Sequence, residues 1–300
     1  MHTPIIHVQN ATKSFSALPV LKGLNISVPQ RSVYAFLGNN GEGKSTTIRM
    51  LLGLLRADSG SIQVLGKDVA QLDKRQVGAI IDAPVLYAHL TAREYLSITR
   101  SIKNLSKSEI ARVLELVSLT KAGNRKISTF SLGMKQRLAL AQALMGDPKL
   151  LILDEPTNGL DPQGMQEIRE LIKQLPEQSD TSVFVSSHLL DEVEKMASHV
   201  GILRGGKLVL ESSLEHAYKQ MTSTLKLDVC SSQKAAEVLK VAGYQTVQET
   251  PSSLNVLNPV FEQIPDVTAC LIKKGVQLFQ AVYHKPTLEQ WFLSSNKQGA

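Results

Sequence analysis

Three hundred residues, 43% hydrophobic and 20% charged, suffice for one large domain plus a small one and exclude an intrinsically disordered chain. The 33 basic against 27 acidic side chains leave a net +6, an excess compatible with an anionic nucleotide, an anionic membrane surface or nucleic acid, and too small to choose among them. No apolar run approaches the ~20 residues that span a bilayer, and Met1 to Asn10 lacks the charged start and long apolar core of a signal peptide, so a soluble cytoplasmic chain is expected.

In chain order, Ile5 to Val8 and Leu24 to Val28 are short and rich in branched residues, and they read as strands of a small β layer. Phe15 lies between them, either stacking on a nucleobase or anchoring a loop. Val33 to Leu37 is a buried strand that runs into G-N-N-G-E-G-K-S-T and then an amphipathic helix, the context in which G-x-x-x-x-G-K-[ST] is a phosphate-binding loop. Gly38, Asn39, Asn40, Gly41, Glu42, Gly43, Lys44, Ser45 and Thr46 are expected to wrap a triphosphate. The glycines let backbone N–H groups approach its oxygens, and Lys44 reaches the β- and γ-phosphates. The Ser45 hydroxyl can ligate Mg²⁺, and the helix start adds unpaired donors.

Further strands are read at Ser61 to Leu65 and Val77 to Ile81. A helical insert follows over about 85–147, with capping boxes at Thr91/Glu94 and Ser106/Glu109. Phe130 to Gln136 leads into its last helix, which Gly146 and Pro148 stop. Leu150 to Leu153 is a buried strand ending in Asp154, placed to hold Mg²⁺, and Glu155, placed as general base for an attacking water. Asp161 caps a helix that starts at Pro162 and ends near Leu175. Val183 to Val185 is a strand closed by Ser186, Ser187 and His188, where the histidine can contact a γ-phosphate and the water. A helix (Leu189 to Ala197) and a hairpin across Gly205 and Gly206 finish the large domain. Strands alternating with helices predict a mostly parallel sheet covered on both faces.

From Leu225 a β-α-β-β-α-β order predicts a small ferredoxin-like α+β domain over 222–300, after a large α/β domain over 1–218. Its expected elements are strand Leu225 to Val229, helix Gln233 to Val241, strands Thr246 to Gln248 and Leu254 to Leu257, helix Phe261 to Lys273 and strand Val276 to Val282. A last helix, Leu288 to Leu293, carries the single Trp. Cys230 and Cys270 are read as buried thiols of a reducing compartment.

The chain resembles the nucleotide-binding subunit of an ATP-binding cassette (ABC) transporter over roughly Ile5 to Glu211. The phosphate loop corresponds to Walker A, L-L-I-L-D-E (Leu150 to Glu155) to Walker B, N-G-L-D (Asn158 to Asp161) to the D-loop and S-S-H to the switch-histidine loop. F-S-L-G-M-K-Q-R (Phe130 to Arg137) resembles the signature L-S-G-G-Q. The resemblance implies a P-loop NTPase fold with an N-terminal antiparallel layer, ATP and Mg²⁺ as ligands, and Phe15 against adenine. It also implies two cassettes joined head to tail, as a homodimer or with a related chain, so that Ser131 and Gly133 face a γ-phosphate held by the other copy.

Two departures stand out. Leu132 and Met134 replace a glycine and the glutamine of the signature, and Asp82 stands where the Q-loop glutamine, a Mg²⁺ ligand, is expected. The acidic Q-loop residue, the S-L-G-M-K-Q-R signature and the C-terminal appendage are similar to the branch of bacitracin and lantibiotic exporters and immunity transporters. That branch implies export of a peptide antibiotic or other hydrophobic compound through separate transmembrane permease subunits, with this chain peripheral on the cytoplasmic face of the membrane and no nucleic acid involved. The competing readings are a soluble cassette acting on nucleic acid and an ATP-gated sensor that dimerises without turnover.

Overall fold

Alternation of apolar and polar side chains builds the first layer. In the computed structural model, which describes residues 3–16, 18–82, 85–220 and 223–284, β1 (Ile6–Phe15) and β2 (Leu18–Val28) form an antiparallel hairpin. Ile6, Val8, Leu21, Leu24, Ile26 and Val28 are buried on its inner face. The hairpin extends to a Phe15–Leu18 pair, so Phe15 ends a strand rather than lying in a loop. The chain divides into two units, Met1–Leu214 and Glu215–Ala300.

In the first unit, β3 (Val33–Leu37) is buried at every position, as its unbroken apolar run requires for a strand covered on both faces. Next come α1 (Lys44–Leu51), β4 (Ser59–Val64), β5 (Lys67–Asp68) and β6 (Val77–Ile80). The helical insert holds α2 (Ala92–Lys103), α3 (Ser108–Leu116) and α4 (Leu132–Ala143). The unit is completed by β7 (Leu150–Leu153), α5 (Pro162–Gln178), β8 (Ser182–Ser187), α6 (Leu190–Met196), β9 (His199–Arg204) and β10 (Lys207–Ser213). An antiparallel sheet of order β2-β1-β4-β5 faces a six-stranded sheet of order β10-β9-β3-β8-β7-β6, in which only β10 runs antiparallel to its neighbour. Tyr34 and Phe36 of β3 and Phe184 of β8 pack with the inner face of the hairpin, and the Tyr34 and Phe184 rings stack at 5.5 Å.

The insert has its own core of Leu96, Val113, Leu114, Phe130, Leu138 and Met145. Thr91 and Glu94 make the expected capping box on α2. Ser106 and Glu109 do not. Lys107 precedes α3 without a side-chain cap, because the Glu109 carboxylate accepts the Gly146 N–H at 2.6 Å and pairs with Arg112 at 2.5 Å. Glu109 thus stitches α3 to the end of α4, and the Arg112 hydrogen bond holds its carboxyl below the usual range.

Two helix ends differ from expectation for local reasons. α5 continues past Leu175 through Pro176, and its end is closed where the Ser179 N–H and hydroxyl both donate to the Leu175 carbonyl. Asp161 precedes α5 without a side-chain cap bond.

After α7 (Leu214–Gln220), the second unit contains β11 (Thr224–Val229), α8 (Ser232–Val241), β12 (Thr246–Thr250), β13 (Ser253–Leu257), α9 (Ile264–Lys273) and β14 (Leu278–His284). The strands are antiparallel in the order β12-β13-β11-β14, the ferredoxin-like arrangement. Leu225, Leu227 and Val229 cluster with Ala235 and Leu239 of α8 and with Val267 and Leu271 of α9. α9 begins after a 3₁₀ turn, because Pro265 has no N–H and fits only a first helical turn. Val276 seals the core ahead of β14 instead of opening the strand. Cys230 is exposed and Cys270 half-buried, so neither is the buried thiol expected from composition. The helix expected at Leu288 to Leu293 lies outside the described residues.

Gly78 of β6 lies against the end of α4, where a Cβ would collide with the Ala143 carbonyl oxygen. Gly78→Ala is expected to destabilise by about 1–3 kcal/mol through overpacking, seen as a fall in Tm of roughly 2–12 °C. An unchanged thermal unfolding curve would show that this contact does not join the insert to the sheet.

Candidate active site

Four neighbouring parallel strands present the residues after their ends along one edge, with β3 and β8 running two residues beyond β7 and β6. Leu37 pairs with Ser187, Val185 with Leu153, and Leu153 with Ile80. Beyond those ends come the Gly38 loop, His188, the Asp154–Glu155 pair and Asp82, so residues far apart in sequence meet at the carboxyl ends of the sheet, the usual ligand position in open α/β folds.

The loop is built for close backbone approach. Gly41 and Gly43 lie at φ +86° and +107°, and a Cβ on Gly43 would stand 2.8 Å from Leu21 Cδ2. Gly43 precedes α1 without a side-chain cap, leaving the first-turn N–H groups free for an anion. Lys44 is buried, and its Nζ donates to the Gly38 carbonyl at 2.7 Å and the Asn39 carbonyl at 3.3 Å. The loop borders a cavity of ≈ 530 Å³ lined also by Phe15, Val20, Asp82, Asp154, Glu155 and Asn158, within the ordinary size of small-molecule sites.

Glu155 is held from three sides. Its Oε2 lies 2.8 Å from His188 Nδ1 and its Oε1 3.2 Å from Lys44 Nζ, while its N–H donates to Ser186 Oγ at 2.9 Å. The Ser186 hydroxyl in turn donates to Asp154 Oδ1 at 2.5 Å. Glu155 sits at φ +47°, a strained region for a non-glycine residue. The carboxylate therefore stands between a lysine and a histidine, oriented toward the cavity.

Asp82 is exposed at the cavity lip, also at positive φ, and pairs with Arg49 at 3.1 Å, one helical turn beyond Ser45. Phe15 is half-exposed at the cavity wall, with Lys13 Nζ 5.6 Å from its ring centroid. The Glu42 carboxylate turns away and accepts the Gly205 N–H. Gly38 packs under the loop beside the Leu203 carbonyl.

Ser131 and Gly133 are not among the cavity-lining residues. Ser131 is exposed, and its Oγ accepts the Met134 N–H at 3.2 Å as the cap of α4. Leu132 and Gln136 of the same helix do line the cavity.

Ser186 is the residue that the sequence reading left without a role. The available signal was two hydroxyls closing an otherwise apolar strand whose neighbours end in carboxylates. Val20 left no local signal, because it reaches the loop only through the β1–β2 hairpin.

Fold and site together define a phosphate-loop nucleotide-binding cassette. Residues 21–158 match the family described as ABC transporter. The chain is 38% identical over 297 residues, 96% of each sequence, to the bacitracin transport ATP-binding protein BcrA of Bacillus licheniformis. It is 42% identical to the lantibiotic transport ATP-binding protein SrtF of Streptococcus pyogenes over 211 residues, 70% of this chain and 92% of that one. Among solved structures, an ATP-binding subunit of an ABC transporter aligns with a TM-score of 0.64 at 29% identity, covering 72% of this chain and 92% of the other. The chain belongs to the ABC transporter family; it is an ATP-binding subunit and an ATPase.

Ser186→Ala would leave the buried Asp154 oxygen and the Glu155 N–H without their shared partner, at a cost of about 1–3 kcal/mol. Denaturant unfolding is expected to show that loss together with reduced ATP turnover. A variant with wild-type stability and turnover would remove Ser186 from the site.

Proposed function

We infer that this chain is the ATP-hydrolysing motor of an exporter that moves a peptide antibiotic or other hydrophobic compound through separate transmembrane permease subunits. The observation that carries the hydrolytic part is Glu155 placed between Lys44 and His188 at 3.2 and 2.8 Å. The names of the bacitracin and lantibiotic relatives support the substrate class. Among the described residues no helix is long and apolar enough to cross a membrane, and this reading gives the membrane path to another chain, with the cassette docked on its cytoplasmic face.

When ATP enters, Lys44 exchanges the Gly38 and Asn39 carbonyls for β- and γ-phosphate oxygens, and the free N–H groups of the loop and the first turn of α1 take others. Asn39, Asn40, Gly41, Gly43, Ser45 and Thr46 line that path, and the Phe15 ring receives the base. Ser45, Asp154 and Asp82 are the oxygen donors suited to Mg²⁺. Among the described residues no three His, Cys, Asp or Glu side chains gather to enclose a metal, which matches an ion completing its shell with phosphate oxygens and water. Bound there, Mg²⁺ would supply charge neutralisation to the phosphates.

Glu155 accepts the proton of the attacking water as its oxygen bonds the γ-phosphorus and the bond to ADP breaks. His188 holds the carboxylate by Nδ1, which leaves its other ring nitrogen for the phosphate. The exposed Ser131 and the half-buried Gly133 at the start of α4 face the γ-phosphate of a second copy, so ATP joins two cassettes and its hydrolysis releases them.

Glu155→Gln keeps the size of the side chain and removes the base. Turnover of MgATP is expected to fall by about 10²- to 10⁴-fold with nucleotide affinity retained, measured by phosphate release and by binding of a fluorescent ATP analogue. Undiminished phosphate release would exclude Glu155 as the base.

A further inference from the structure

Behind the reacting groups lies a second carboxylate that the hydrolytic account does not use. Glu192 is in the first turn of α6, the helix that follows His188, and is only 4% exposed. Its Oε2 accepts the Thr157 hydroxyl at 2.6 Å, and its Oε1 has no hydrogen-bond partner among the described residues. Thr157 is equally buried, two residues beyond Glu155, in a tight turn where the Asn158 N–H donates to the Glu155 carbonyl and the Leu160 N–H to that of Thr157. A buried carboxylate with one unpaired oxygen is an expensive way to fill space, and an apolar side chain would pack there at less cost.

The connectivity explains what it does. One hydrogen bond joins Glu155 to His188, and the second joins Thr157 to Glu192. Together they close a ring through residues 155–157 and 188–192, so neither segment shifts without the other.

We propose that Glu192 is a positioning residue: through Thr157 it locks the turn that carries the general base to the helix behind the switch histidine, setting the Glu155–His188 geometry. The proposal rests on the hydrolytic role of Glu155 and names the device that maintains it. It also gives the D-loop, Asn158 to Asp161, a covalent path of one residue from Thr157 to the surface that meets a second cassette.

Thr157→Val preserves shape and removes the hydroxyl, whereas Thr157→Ser keeps it. In the full-length protein, Thr157→Val is expected to lower kcat about ten-fold, with KM and fluorescent-ATP affinity within about two-fold of wild type and Thr157→Ser close to wild type. Combining Thr157→Val with Glu192→Met, which removes the acceptor, should cost no more than the worse single change, because each removes one partner of the same bond. A Thr157→Val protein that loses thermal stability but keeps its kcat would make the pair mere packing and overturn the proposal, as would additive losses in the double variant. If Glu192→Met does not fold, the Val and Ser variants decide alone. Absence of turnover in the wild-type chain would instead refute the hydrolytic reading, and the proposal with it.

Discussion

The constraint on which the rest depends is a carboxylate held between two nitrogens at the end of a parallel sheet. Glu155 touches Lys44 from the phosphate loop and His188 from the neighbouring strand end, and these three residues meet only because β3, β8 and β7 are in register. A slip of one strand by a residue would turn its side chains to the opposite face and break the group apart. The buried aromatic stack of Tyr34, Phe36 and Phe184 lies on the same strands, so the packing of the two sheets and the alignment of the site are one structural requirement. Lys44 bonds to its own loop carbonyls, which satisfies the buried ammonium.

Much of this was legible before any coordinates, for identifiable reasons. The strand, glycine loop and helix around Lys44 form a local pattern in which each glycine answers a backbone need, and Asp154 and Glu155 follow four apolar residues that can only be a buried strand. The ferredoxin-like order of the second unit was legible from alternation and helical spacing alone. What escaped depends on contacts distant in sequence. Ser106 and Glu109 have the spacing of a capping box, yet Glu109 is taken by Arg112 one turn on and by the Gly146 N–H, a partner that no local window contains. Glu42, within the phosphate-loop motif, is engaged by Gly205 across the sheet edge. The cysteines illustrate the limit of composition, since Cys230 follows the last buried residue of β11 and faces out.

The departures from the family pattern have local consequences. Leu132, standing where a glycine is expected, reaches toward Gly159 of the D-loop, which lies at φ +75°. A Cβ on Gly159 would stand 3.4 Å from Leu132 Cδ2, so the signature and the D-loop of one chain lie side by side. Asp82 forms an exposed ion pair with Arg49 at the cavity lip. Such pairs are worth little, so under the proposed function the Arg49 pair does not bar Asp82 from a cation beside Ser45. The Arg49 guanidinium balances the added negative charge.

The central claim is that each reaction centre is completed by a second copy whose Ser131 meets the γ-phosphate held at Lys44. The most direct measurement is the solution mass of a hydrolysis-deficient Glu155→Gln protein in the presence of ATP, by sedimentation velocity, with and without an added Ser131→Arg change. The account predicts a species of twice the 32.8 kDa chain mass for Glu155→Gln. It predicts a monomer that still binds fluorescent ATP for the double variant. A double variant that dimerises as well as its parent, or a Glu155→Gln protein that stays monomeric when saturated with ATP, would contradict it.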